Sequence, residues 1–204
     1  MINRRIWATT AAAWLALSAL PMGAMAAEET PDALVKRVSA DVLETIRKDP
    51  SIKSADVARV SALVDKVVMP HVNFQRMTAA AVGPKWREAT AEQKQRLQAE
   101  FKALLIRTYS GALAQVNDQT VVVKPMRAAA GDKDVLVRTE VRGKGDPIQL
   151  DYRLEQKDDG AWKIYNLNVL GVWLVETYRS QFAQEINARG IDGLIQALAS
   201  RNKA

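Results

Sequence analysis

From Val135 onward the chain alternates apolar and polar residues with a period of two. Val135, Val137, Thr139 and Val141 take one side of this run, and Leu136, Arg138, Glu140 and Arg142 take the other. Ile148, Leu150, Tyr152 and Leu154 repeat the pattern against Gln149, Asp151, Arg153 and Glu155. Successive side chains of an extended chain point to opposite faces, so the alternation predicts antiparallel strands with one apolar and one wet face. Gly143 to Pro147 and Asp158-Asp159-Gly160 supply turn chemistry between strands. Val121-Val122-Val123 before, and Trp162 to Val169 after, complete a predicted four-stranded meander. In the last strand the apolar phase slips, from Trp162 and Ile164 to Tyr165, Leu167 and Val169, which predicts a bulge or strong bend.

On either side of this region the period becomes helical. Thr30-Pro31-Asp32 starts a helix striped by Val35, Val38, Val42 and Ile46, which ends at Asp49-Pro50. Ser54 is expected to cap a second helix, with Val57, Val60, Val64, Val67 and Val68 inward until Pro70. A short helix is predicted over Phe74 to Val82, broken by Gly83-Pro84. Thr90-Ala91-Glu92-Gln93 fits a capping box ahead of the best-patterned helix, which carries Leu97, Phe101, Leu104, Leu105, Tyr109, Leu113 and Val116. Leu174, Val175, Tyr178, Phe182 and Ile186 stripe another helix that stops at Gly190, and Leu194, Ile195 and Leu198 suit a short final one. The predicted class is α+β, one sheet with helices packed on its apolar face.

The first 26 residues follow neither period. Arg4 and Arg5, an apolar stretch from Ile6 to Leu20, Pro21 and the ending Ala24-Met25-Ala26 have the order of a cleavable secretory signal. The stretch is too short to span a bilayer, and it leaves no polar face for a buried amphipathic helix. Cleavage is expected after Ala26, giving a signal peptide, residues 1–26, and one mature domain, residues 27–204. Arg4-Arg5 fits a twin-arginine signal poorly, so general secretion is expected. The sequence holds no cysteine, which excludes disulfides, thiol chemistry and a lipid anchor on a mature N-terminal cysteine. Lysine and arginine number 29 against 23 aspartates and glutamates. That surplus favours acidic surfaces, including anionic lipid head groups, and export argues against nucleic acid.

Catalytic patterns are scarce. His71 is the single histidine and has no cluster of metal ligands around it in sequence; zinc spacing, a nucleophile elbow, a P-loop and a dinucleotide fingerprint are all absent. Asp158-Asp159 reads as a turn, and the alternation puts Asp151 on the polar face. The apolar face of the sheet has two readings. Periodicity favours an ordinary packed core, and an apolar ligand cavity would produce the same pattern.

Specific segments carry a resemblance. They are Pro70-His71-Val72-Asn73-Phe74, the run from Val82-Gly83-Pro84-Lys85-Trp86 to Gln93, and the Phe101 to Leu113 helix with Thr108-Tyr109. Trp162-Lys163-Ile164-Tyr165, Gly171-Val172-Trp173-Leu174-Val175, Tyr178-Arg179-Ser180-Gln181-Phe182 and Gly190-Ile191-Asp192-Gly193-Leu194-Ile195 follow in order. Together they resemble the toluene-tolerance (MlaC) family of periplasmic phospholipid-binding proteins. Two positions depart from its pattern: Trp173 stands where serine is usual, and Asn166 where aspartate is common.

The resemblance implies a bent antiparallel sheet covered by helices, a cone similar to the nuclear-transport-factor type, enclosing an apolar cavity for acyl chains. It implies a periplasmic carrier, acting as a monomer, without metal, cofactor or catalytic residue. Its partners would be phospholipid, an inner-membrane MCE-domain protein of an ABC transporter and an outer-membrane lipoprotein complex. The expected lipid-lining residues are Leu105, Tyr109, Val137, Ile148, Leu150, Tyr152, Trp162 and Trp173, with Leu174, Tyr178 and Phe182 from the last helix. Lys85, Arg107 and Arg179 are candidates for head-group or partner contact. The alternatives are a carrier of another apolar lipid such as a hopanoid, a periplasmic enzyme on a similar cone, and an interaction module with a filled core.

Overall fold

The alternating runs pair with one another as their pattern requires. A computed structural model describes residues 29–129 and 131–203; the expected signal, residues 1–26, lies outside the described residues. Strands β1 (Thr120–Val123), β2 (Asp134–Arg142), β3 (Ile148–Gln156), β4 (Trp162–Val169) and β5 (Val172–Trp173) form one antiparallel sheet in sequence order. The fifth strand corrects the predicted four. It has two residues, too few for a period to show.

The phase slip in β4 is a bulge. Leu154 faces Ile164 and Arg153 faces Asn166, so Tyr165 is the extra residue. The slip lets β4 present Trp162 and Ile164, then Leu167 and Val169, to the apolar face on both sides of the insertion. It also turns Tyr165 to the polar face, where its hydroxyl donates to Asp134 at 2.8 Å and Arg76 lies 3.5 Å from its ring centre. Arg76 pairs with Glu155 at 2.6 Å and Asp134 at 3.0 Å. Burial, reinforced by Asp134, pushes the Tyr165 phenol up to about 12.

The helices are α1 (Pro31–Lys48), α2 (Val57–Leu63), α3 (Phe74–Val82), α4 (Ala91–Ala114) and α5 (Leu174–Lys203). Thr90 and Gln93 form the expected capping box on α4. Asp56, rather than Ser54, caps α2, accepting from the N–H groups of Ala58 at 2.9 Å and Arg59 at 3.3 Å. Ser54 instead closes a 3₁₀ turn, Ile52–Ser54, that ends on Ala55 with φ 58°. That later start leaves Val57 exposed and brings Leu63 inside. The two predicted C-terminal helices run on as α5, broken at Gly190, whose φ of 70° and ψ of −172° are open essentially to glycine alone. No helix among the described residues is long and apolar enough to cross a membrane.

The packed interior is divided into three clusters. Phe74, Met77, Leu97, Phe101, Tyr178, Phe182 and Leu194 join α3, α4 and α5. Leu34, Val35 and Val38 of α1 meet Val135, Val137, Leu154 and Ile164 of the sheet. Ile46, Ile52, Val60, Leu63 and Ile106 close the opposite end of α1 onto α2 and α4.

Candidate functional site

A chain this long commonly packs one continuous core with minor satellites, so three clusters require an account. Three elements connect them pairwise. The sheet runs from the α1 cluster to the helical one, α4 from the helical cluster to the α2 cluster, and α1 from the α2 cluster back to the sheet. The inward side chains between these corners are apolar but incompletely covered: Leu105 and Tyr109 on α4, Val42 on α1, and Leu150, Tyr152, Leu167 and Val169 on the sheet are all half-buried. The middle strand explains why. α1 packs on β1 and β2, and α5 on β4, but no helix packs as closely on β3.

Tyr152 sits at the centre of that uncovered strand. Burial pushes its phenol up to about 12, with the Ser39 and Thr139 hydroxyls beside it. Tyr152 is half-buried and packs against the α1 cluster. Tyr109, on α4 beside the helical cluster, is also raised by burial and then by Tyr178. Both phenols thus stand among apolar residues, an environment that accepts hydrocarbon and offers few polar anchors.

The expected lining residues separate into three groups. Leu105, Tyr109, Leu150 and Tyr152 are half-buried, and Ile148 is 43% exposed. Val137, Leu174, Tyr178 and Phe182 are fully packed in the clusters. Phe101 holds Tyr178 and Phe182 edge-on at 4.9 and 5.1 Å, which is core packing. Trp162 is half-buried at the α1 cluster and also lines a surface pocket of about 290 Å³ with His71, Arg37 and Lys163. Trp173 is a correction. It pairs with Asn168, which places it on the polar face, under the Arg153 guanidinium at 4.1 Å. The turn after β4 reverses the chain, so the tryptophan lands on the face opposite Val172.

Both departures from the family pattern meet in that corner. Asn166, 1% exposed, accepts from the N–H groups of Leu167 at 2.9 Å and Val175 at 3.2 Å, and donates to Glu176 at 2.8 Å. Glu176 also receives Arg153 at 2.6 Å. Burial pushes Glu176 upward, but the bonds from Asn166 and Arg153 outweigh it and hold the carboxyl below the usual range. Asp151 lies on this polar face as its alternation predicts and is buried, its Oδ2 accepting from Gln149 at 2.6 Å. Leu167, Val169 and Val42 were not among the expected lining residues. The register beyond the bulge places the two on β4 on the apolar face, beside Tyr152 and Leu150.

Lys85 is paired with Glu88 at 2.7 Å, Arg107 is exposed, and Arg179 lies against Gly83. A second surface groove, of about 460 Å³, is lined by Val72, Asn73, Arg76, Trp86, Lys157 and Lys163. Among the described residues no cluster of histidines and carboxylates has metal-binding geometry.

Three comparisons bear on this arrangement. The family model for the MlaC protein matches residues 36–200. The toluene tolerance protein ttg2D of Pseudomonas putida is 27% identical over 177 residues, covering 86% of this chain and 81% of that one. The intermembrane phospholipid transport system binding protein MlaC of Haemophilus influenzae is 23% identical over 172 residues, covering 83% and 80%. Among solved structures, the phospholipid-binding protein from Ralstonia solanacearum, in complex with a phospholipid, superposes with a TM-score of 0.81. It is 49% identical and the match covers 84% of this chain and 96% of that one.

Proposed function

Since this chain belongs to the MlaC family, we propose that it is a phospholipid-binding transport protein, holding acyl chains in the space beneath β3. The observation that carries the reading is the inner face of the middle strand, which carries the half-buried Leu150 and Tyr152 and on which no helix packs as closely as α1 does on β1. The Ralstonia protein supports it, being similar in fold and holding a phospholipid. Each methylene left in water costs about 0.8 kcal/mol relative to burial, so a free lipid does not cross an aqueous compartment unshielded. Apolar walls offset that cost without covalent chemistry. No catalytic residue, metal or cofactor is required.

The finer reading follows from the same premise. The signal at residues 1–26 sends the mature domain, residues 27–204, to the periplasm. There it moves lipid between an outer-membrane lipoprotein complex and the MCE-domain component of an inner-membrane ABC transporter.

Organic extraction of the purified protein followed by mass spectrometry tests the binding. Recovery of phospholipid near one molecule per chain is expected, with uptake from labelled vesicles. Finding neither would sink the proposal, and finding a hopanoid instead would replace the cargo.

A further inference from the structure

Along β2 and β3 the inner face of the sheet carries hydrocarbon at every position but two, Thr139 and Tyr152. Thr139 pairs with Leu150 and Tyr152 with Val137, so the two stand diagonally on neighbouring strands. From α1, Ser39 reaches the same place, and the hydroxyls of Ser39 and Thr139 lie beside the Tyr152 phenol. Three elements thus bring one hydroxyl each to a single point on an apolar surface. Packing does not call for them. Leu34, Val35 and Val38 of α1 already meet Val135, Val137, Leu154 and Ile164 through hydrocarbon alone. A hydroxyl shielded from water destabilises the fold unless it finds a partner, so the place of each proton matters.

Thr139 is fully buried, and its hydroxyl donates to the Leu150 carbonyl at 2.5 Å, which leaves its oxygen to accept. Two protons remain, on Tyr152 and Ser39, and both residues are half-buried. One of them suffices to tie the trio together through Thr139, and the other can turn to a guest. The phenol, raised to about 12, stays a donor at any physiological pH. Charge then selects the guest. The charged group that acts on the phenol is Asp151, buried on the opposite face of the same strand, and its effect is to hold the proton on. A negative neighbour disfavours a phosphate and leaves a neutral acceptor.

We propose that Tyr152, supported by Ser39 and Thr139, donates to a glycerol ester carbonyl of the bound phospholipid and so selects ester-linked over ether-linked lipid. The proposal rests on the carrier reading and adds which atoms of the lipid are recognised. Ester carbonyls are neutral acceptors attached directly to the hydrocarbon chains, whereas the phosphate is anionic. The neighbours of Tyr152 on this face suit the chain itself: Leu167 pairs with Tyr152, and Val169 with Leu150. An ether-linked lipid fills the same walls but lacks the carbonyl, so the donor is left without its guest. Pockets that bond a polar group reject an analogue lacking it, while hydrocarbon walls barely distinguish the two.

The test is Tyr152→Phe, which removes the hydroxyl and keeps the ring, with Ser39→Ala as a second variant. The purified exported protein is equilibrated with excess vesicles of equal diacyl and dialkyl phosphatidylglycerol, and the bound lipid is measured by mass spectrometry. Wild type should hold the diacyl form in about fivefold excess, the worth of one hydrogen bond, and Tyr152→Phe should bring the ratio to within about twofold. Ser39→Ala should lower the ratio as well, and total lipid per chain should stay near wild type in both variants. A trio that only fastens α1 to the sheet would lower the Tm of the variants and leave the ratio unchanged, which would overturn the proposal. A wild type without preference would overturn it too. Uptake of neither lipid by wild type would sink the carrier reading instead.

Discussion

Asn166 bonds to three partners at once, because its amide carries acceptor and donor on separate atoms. Its oxygen accepts from two backbone N–H groups while its nitrogen donates to Glu176. Asn166→Asp keeps the acceptor and replaces the donor with a carboxylate facing a carboxylate. We expect a loss of about 1–3 kcal/mol in urea unfolding at neutral pH. Glu176→Gln should restore much of it, because the glutamine amide can donate to Asp at position 166. The turn after β4, where Leu170 has a φ of 52°, behaves oppositely. Leu170→Asn should gain about 1 kcal/mol, read as a raised Tm, since the left-handed conformation costs a branched side chain about that much. The sequence marks Asn166 and Trp173 as departures from the family pattern. It does not show that they share a corner, because their contacts run through Arg153 and Glu176, 13 and 10 residues away from Asn166 along the chain.

At the scale of elements, local rules hold wherever the cause is local. Thr90 and Gln93 cap α4 because cap, first turn and reaching side chain all lie within four residues. The bulge at Tyr165 is legible for the same reason, since an inserted residue shifts the period within its own strand. Ser54 is misread because serine and aspartate both satisfy a cap, and the intervening 3₁₀ turn decides between them. Gly190 gives a clean test of backbone cost. A Cβ built there meets nothing within 4 Å, so any penalty for Gly190→Ala arises from φ and ψ alone. About 1–3 kcal/mol is expected from the urea midpoint, with an unchanged m-value.

Across the whole molecule, filling and emptying should have opposite consequences at different places. Phe101 is fully buried among Phe74, Tyr178 and Phe182, so Phe101→Ala should cost about 3–5 kcal/mol. Leu150→Trp adds volume beneath the uncovered strand. It should change stability by less than about 1.5 kcal/mol and lower bound phospholipid by more than half in a phosphate assay. Equal lipid content in that variant would count against the space beneath β3 as the site. Acid should weaken the fold through His71, which burial, followed by Arg37 and Lys163, holds below the usual histidine value of 6.5. The folded state favours the neutral ring, so this contribution is complete above pH 6.5 and is lost as pH falls through the folded value. His71→Gln should therefore flatten the stability profile below pH 6.5.

The amino-acid pattern by itself determined the class, the order of helices and strands, the apolar face of the sheet and the bulge. Each depends on periods and caps only a few residues long. Tertiary structure alone decided which apolar residues are fully packed and which are only half-buried. Val137 and Tyr152 lie on one face and pair directly, and both read as inward from sequence. Both touch the α1 cluster, but Val137 is fully buried in it, while Tyr152, on the strand that no helix covers closely, is only half-buried. Periodicity records the side to which a side chain points. What meets it there depends on residues distant in the chain, and in this fold they leave the middle strand open.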